Sequence, residues 1–345
     1  MKFSVFSLFL LCVIFNVNAQ ISVTFYENGT FTVPSGVTEI TVQCWGAGGI
    51  PSGLNGSGGG AFAQSKPIAV TAGQKFDAIV SKPGELWSIF RLAPSGLPLV
   101  SALSATGHQG GVASAANINN SIASSYSGGN GGNGINLFAG TTFEINAGGG
   151  GGGAGGRNGN GSNGEAANSF GGIGLGGAAG LGGGAGGNGG RSSSNPLNAQ
   201  SGFSPGGGAG GVGDGNINKG ANGRVIVTYC INNTPLIKSK DVVIADGDIT
   251  PSVNDSTNFG SVSIVDSLTR TFTLQNTGTG ALQVSSVLLS GSNASDFRFK
   301  GISFPFTLAA GASQSFTLTF TPTTAGEKTA TIAFNNDNCN TPTYD

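Results

Sequence analysis

The stretch Gly171-Gly172-Ile173-Gly174-Leu175-Gly176-Gly177-Ala178-Ala179-Gly180-Leu181-Gly182-Gly183-Gly184-Ala185-Gly186-Gly187-Asn188-Gly189-Gly190 decides how this chain must be read. It holds almost no side chain with which to build an ordinary core. Gly171, Gly174, Gly177, Gly180, Gly183, Gly186 and Gly189 nevertheless share one period-three phase. Glycine chains can take the left-handed helix of polyproline II geometry, with three residues per turn and a rise of about 3.1 Å per residue. Without Cβ atoms such helices can lie side by side, each N–H bonding a neighbour's carbonyl and Cα–H···O contacts adding weakly. The other reading is a disordered linker, because glycine loses more backbone entropy on folding than any other residue. The shared phase favours the ordered layer, with those seven glycines as structural residues. Collagen is excluded, since the frame lacks proline and stops after seven triplets.

Glycine fills 40 of the 96 residues from 128 to 223. Strand-like sequence then resumes at Arg224-Val225-Ile226-Val227-Thr228-Tyr229, so the tract is an insertion within a domain, or a layer upon it, and not a tail. Upstream, residues 21–100 show period-two apolar alternation broken by turns such as Pro34-Ser35-Gly36, the mark of half-buried strands. Ile40, Val42 and Cys44 share one face of such a strand, which makes Cys44 a core thiol. Trp45 ends the same strand and is expected in the core. Residues 61–70, 76–80 and 87–92 are further strand candidates, and no stretch reads as an amphipathic helix.

Gly29-Thr30-Phe31-Thr32-Val33-Pro34-Ser35-Gly36-Val37-Thr38, Val42-Gln43-Cys44-Trp45-Gly46-Ala47-Gly48-Gly49 and Gly223-Arg224-Val225-Ile226-Val227-Thr228-Tyr229 together resemble the bacterial glycine-rich domain family. The resemblance implies a jelly-roll-like β-sandwich carrying glycine helices. The extracellular glycine-rich region of the anaplastic lymphoma kinase family is similar in plan, through Ala72-Gly73-Gln74-Lys75-Phe76 before a strand.

Beyond residue 240 the composition is that of an ordinary β domain. Alternation around Phe272 and Leu274, and through Phe316, Leu318 and Phe320, is separated by evenly spaced turns that suggest a sandwich. Ile244-Ala245-Asp246-Gly247-Asp248, Phe259-Gly260-Ser261-Val262, Asn276-Thr277-Gly278, Ala294-Ser295-Asp296-Phe297 and Phe320-Thr321-Pro322 resemble the Ig-like abnormal-spindle/Hydin type repeat of bacterial "choice-of-anchor D" surface proteins. That resemblance implies an extracellular spacer, and it places one more strand after Tyr344. Either the chain is a fragment of a longer protein or the sandwich has an open edge that would invite pairing, and the fragment is the expectation. The expected fold is all-β: a jelly-roll-like β-sandwich with an inserted layer of glycine-rich polyproline II helices, then an Ig-like sandwich lacking its last strand. The expected segments are a signal peptide at 1–19, the glycine-rich domain at 20–230, a linker at 231–239 and the Ig-like domain at 240–345.

The signal peptide is read from Lys2, the apolar run from Phe3 to Phe15 and small residues before Gln20. It predicts a secreted or cell-surface protein, and no later segment is long and apolar enough to span a membrane. After cleavage three cysteines remain, so at most one internal disulfide can form, and Cys230 and Cys339 could pair across the domain junction. Charged residues make only 9% of the chain and the net charge is −1, which gives no electrostatic hold on nucleic acid.

Candidate sites are few. Asp246, Asp248 and Asp255 could offer oxygen ligands to calcium, but they lack EF-hand spacing and read better as turn residues. His108, the single histidine, could pair with Ser101 or Ser104, yet no carboxylate or nucleophile-elbow motif accompanies them. The Gly-Ala-Gly-Gly run at Gly46 opens no βαβ unit, so no dinucleotide is expected, nor any other cofactor. The function expected is non-enzymatic adhesion to an extracellular glycan or protein surface. The alternative is an accessory region of a secreted enzyme whose catalytic domain lies beyond Asp345. Ice or mineral binding would need a regular Thr or Asn row, which the sequence does not show.

Overall fold

A computed structural model describes residues 20–94, 96–111, 122–133, 135–137, 145–147, 150–168, 173–192, 198–211, 219–264 and 266–345. The expected signal peptide and Gly171 lie outside those residues. The chain divides into two units, 21–229 and 230–345. Both are all-β, and among the described residues the only helical turn is a 3-10 turn at Ala294–Asp296.

The first unit begins with β1 (Ile21–Phe25), β2 (Gly29–Thr32), β3 (Glu39–Trp45), β4 (Phe62–Ser65), β5 (Ile68–Ala69), β6 (Lys75–Ile79), β7 (Trp87–Leu92) and β8 (Pro98–Leu103). It continues with β9 (Ile122–Tyr126), β10 (Ile135–Leu137), β11 (Ile145–Ala147), β12 (Arg191–Ser192) and β13 (Arg224–Tyr229). One sheet runs β1-β13-β3-β4-β9, with β5 also on β3, and a second runs β2-β6-β7-β8. Where the spacing predicts a single strand over 61–70, Lys66-Pro67 separates β4 from β5, because proline cannot donate to a ladder. The two sheets face each other: Phe31 packs on Tyr229 at 5.6 Å, and the Cys44 thiol approaches the Val100 carbonyl at 3.9 Å. Phe76, Phe90, Val42, Val225 and Val227 fill the space between. At one end of the larger sheet Trp45 stands opposite both Phe62 and Arg224, and Phe62 opposite Tyr126. This is the last row of large side chains before the glycine segments begin.

Those segments are ordered by main-chain hydrogen bonds that repeat every three residues. In 150–156, the N–H groups of Gly150 and Gly153 donate to Glu165 and Ser162. Gly151 and Ala154 donate to Gly187 and Gly184, and Gly152 and Gly155 to Ser57 and Gly60. Its carbonyls accept from Gly132 and Gly129, from Gly177 and Gly180, and from Gly208, all donor–acceptor distances lying between 2.7 and 3.1 Å. A three-residue period is that of the polyproline II helix. Six extended segments thus surround 150–156, and they bond around the ring to one another, as in Gly186 to Gly177, Gly187 to Gly208 and Gly56 to Gly132. Residues 56–61 form a second such centre, donating in turn to 129–132, 206–209 and 103–107.

The lattice has no room for side chains at its centres. A Cβ on Gly153 would collide with the Ala178 carbonyl, and one on Gly59 with the Gly153 carbonyl. The period-three glycines from 174 to 189 all belong to this lattice, but not to one helix. The chain reverses at Leu181-Gly182-Gly183, Gly182 taking a φ of 83°, so that 174–180 and 184–190 run antiparallel. The turn keeps the phase, which is why a reversal leaves no break in the sequence pattern.

In the second unit, β14 (Pro235–Ser239), β15 (Val242–Ile244), β16 (Leu268–Asn276), β17 (Leu282–Ser290), β18 (Phe297–Lys300), β19 (Phe306–Leu308), β20 (Ser313–Phe320), β21 (Thr331–Asn336) and β22 (Thr343–Tyr344) form two sheets. Their orders are β15-β14-β16-β20-β18 and β19-β17-β21-β22. Phe316 stacks on Phe272 at 5.5 Å and meets Phe334 at 5.1 Å, joining the sheets through an aromatic core. The expected linker 231–239 is largely β14, whose Ile237 is buried opposite Leu274; polar spacing around a short apolar run hid a central strand. A short strand, β22, closes the sheet on β21, and the Tyr344 hydroxyl donates to the Ile244 carbonyl at 2.6 Å. Cys230 and Cys339 form a disulfide with Cα atoms 5.9 Å apart, tying the start of this unit to the β21–β22 hairpin.

Candidate functional site

The surface with the most distinctive construction is the outer layer of the glycine lattice. Residues 160–168, 174–180, 184–190 and 200–203 are hydrogen-bonded neighbours in that order: Ser162 to Ala178, Gly186 to Gly177, Phe203 to Ala185 and Gln200 to Asn188. Every third side chain faces out. Along 174–181, Gly174 and Gly177 are buried, while Leu175, Ala178 and Leu181 are exposed. Adjacent segments add exposed Ser162, Glu165, Ala185 and Phe203. The outward residues of one helix are about 9 Å apart, one turn of three residues. Among the described residues of this layer Glu165 is the one carboxylate, and Leu175, Leu181 and Phe203 are each more than half exposed. The arrangement is a face of few charges, apolar along Leu175, Ala178, Leu181, Ala185 and Phe203 and polar at its margins, on a framework held through its main chain.

Asparagines finish the lattice edges. The Asn160 and Asn163 carboxamide oxygens, one turn apart, accept from the Ser127 and Asn130 amides at 2.8 Å. Asn158 and Asn188 serve Leu181 and Gly176 likewise. An edge helix has amides with no neighbouring chain, and a short carboxamide supplies the missing acceptor. The row escaped sequence reasoning because its spacing is visible only when the lattice assigns each asparagine a face. These oxygens are engaged by backbone, so the row is part of the framework.

The residues singled out from sequence fall as follows. Trp45 is wholly buried, packed on Phe62 at 4.9 Å and covered by the Arg224 guanidinium at 4.5 Å. Cys44 is buried and free, and burial pushes its thiol well above the ordinary range. Asp248 Oδ1 accepts from its own turn, at Thr250 N–H and Oγ1, which holds that carboxyl below its usual value. Asp255 Oδ1 likewise accepts from Thr257 N–H and Oγ1, and Asp246 accepts from the Asp345 amide. The three carboxylates are each occupied locally, and among the described residues no three potential metal ligands converge. The His108 ring bonds the Gly56 carbonyl at 3.0 Å, while Ser104 accepts from the Ala47 amide, so the structure does not bring the two together as nucleophile and base.

In the second unit a cavity of about 690 Å³ opens beneath residues 257–264, lined by Phe259, Phe297, Phe320 and Ile332. Its aromatic wall is continuous, Phe259 meeting Phe297 edge-on at 5.7 Å. Lys328 and Asp296 stand nearby, 4.0 Å apart.

With the fold in view, the second unit is an Ig-like β-sandwich. Residues 252–344 match the family model described as HYDIN/CFA65/VesB-like, Ig-like domain. Comparison with curated proteins found no match for the chain. Among the described residues no helix is long and apolar enough to cross a membrane.

Proposed function

We propose that this is a non-enzymatic, exported protein, secreted or held at the outer cell surface, that adheres to an extracellular glycan or protein through the outer face of its glycine lattice. In this reading the first unit is a glycine-rich domain of the bacterial type, and the Ig-like unit is a spacer of the choice-of-anchor D kind. The observation that carries the proposal is the row of outward side chains, Leu175, Ala178, Leu181 and Phe203, displayed on a main-chain lattice. Exposed apolar side chains in a contiguous patch mark interaction surfaces. A face that is ordered beforehand loses little entropy on binding.

The test is binding of the purified protein to arrays of glycans and extracellular proteins, repeated with Ala178→Glu and Phe203→Glu. Both side chains point outward, so the variants should keep the wild-type melting temperature. Retention of the wild type on at least one polymer, with a tenfold or greater loss in the variants, is the expected result. Equal retention of all three proteins would place adhesion elsewhere.

A further inference from the structure

Two cationic side chains meet beside the Leu181-Gly182-Gly183 reversal. Arg224, the first residue of β13, lies over the Trp45 indole and donates from Nη2 to the Gly182 carbonyl at 2.9 Å. Arg157 stands at the tip of the 156–159 hairpin, its amide donating to the Leu181 carbonyl at 2.9 Å. A methyl group on Gly182 would come within 3.6 Å of Arg157 Nε and 3.7 Å of its Nη2, so this guanidinium flanks the same glycine. Tyr26, 65% exposed, lies beside Arg224.

Among the described residues neither arginine has a carboxylate within 4 Å, although Arg91, Lys238 and Lys328 each do. Arg224 Nε and Trp45 Nε1 are buried N–H groups with no acceptor among the described residues. A buried donor left unpaired is unfavourable, and so are two guanidinium groups held together. Arg224 accordingly sits below its usual pKa, chiefly through burial, with Arg157 adding in the same direction and Tyr26 opposing. An arginine pair presents fork-shaped donors that match a carboxylate or sulfate in a bidentate way.

The surroundings narrow the ligand. Tyr26 offers an exposed aromatic ring and Leu181, 62% exposed, offers apolar surface next to the charges. An aromatic and apolar platform beside an arginine fork suits a sugar ring that carries an acidic group. We propose that Arg157, Arg224 and Tyr26 form a binding site for the acidic substituent of an extracellular polysaccharide, a carboxylate or a sulfate ester. The inference rests on the adhesion reading and names its ligand class.

The experiment is affinity electrophoresis of the full chain in gels containing polygalacturonate, chondroitin sulfate, poly-glutamate or neutral dextran. Wild type should be retarded by one or both acidic glycans, less so as salt rises, and more than by poly-glutamate. Arg157→Ala, at an exposed position, should weaken retardation at least tenfold with unchanged melting. Arg224→Lys, which keeps the charge but loses the fork, should weaken it severalfold. Preference for polygalacturonate identifies a carboxylate, and preference for chondroitin sulfate that is lost with desulfated chondroitin identifies the sulfate ester. Retardation by neither acidic glycan, equal retardation by poly-glutamate, or full retention of binding in a folded Arg157→Ala would overturn the site. If the wild type is retarded by neither acidic glycan but binds another polymer and loses that binding in Ala178→Glu, the acidic-glycan site fails and the adhesion reading stands.

Discussion

The two units reach order by opposite means. In the described glycine segments of the first unit, such as 56–61, 150–156 and 174–190, the chain is fixed by main-chain hydrogen bonds threaded through residues mostly without Cβ atoms, whereas the Ig-like unit is fixed by phenylalanine rings clasped between sheets. Glycine carries the largest backbone entropy cost of any residue, so the lattice needs nearly every amide bonded within it. The Ig-like unit follows the usual rule, in which apolar burial dominates and hydrogen bonds mostly avoid a penalty. The difference teaches where each unit is vulnerable: one to an added methyl group, the other to a removed ring.

The most severe way to probe that contrast is Gly153→Val. Its Cβ would meet the Ala178 carbonyl, a main-chain atom that cannot move without breaking bonds to its neighbours. The expected destabilisation exceeds the roughly 1–3 kcal/mol of ordinary overpacking. Hydrogen exchange should show lost protection across 150–156 and its six surrounding segments, and the buried Cys44 thiol should become reactive to maleimide if the collapse reaches the sandwich. Preserved protection would mean that the lattice tolerates side chains and the contrast is false. In the Ig-like unit the matching deletion is Phe334→Ala, at a fully buried ring touching Phe316, expected to cost about 3–5 kcal/mol in chemical denaturation.

Removing the disulfide with Cys339→Ser should cost about 2–4 kcal/mol, because the bond closes a sequence separation of 109 residues in the unfolded chain. The drop should appear in the midpoint for β14–β22. The smallest expected effect sharpens the account of the lattice edge: Asn163→Ala removes the acceptor for the Asn130 amide and should cost about 0.5–1.5 kcal/mol. Faster exchange of the Asn130 amide alone would verify it, and unchanged exchange would show that water serves that edge equally well.

Legibility in the sequence followed side chains. Alternation located β3, β13, β16 and β20, since each buries one face and must pattern with period two. The period-three phase pointed to the lattice but could not tell which segment bonds which, because a glycine carries no group that distinguishes one neighbour from another. The reversal at Gly182 is silent in the sequence for the same reason. β14 was missed because Lys238 and Ser239 interrupt a run too short to show its alternation. Arg157 and Arg224 are 67 positions apart, and only the docking of a hairpin tip against a reversal brings them to one glycine.

The outward third positions have an evolutionary consequence. The bonds that hold 160–168, 174–180, 184–190 and 200–203 together run through the backbone and through the Asn188 and Gln200 carboxamides, so Leu175, Ala178, Ala185 and Phe203 can change identity without disturbing a single one of them. A lineage could replace the whole displayed pattern, one codon at a time, and keep the scaffold's stability throughout. Such a face is suited to following a target that itself varies.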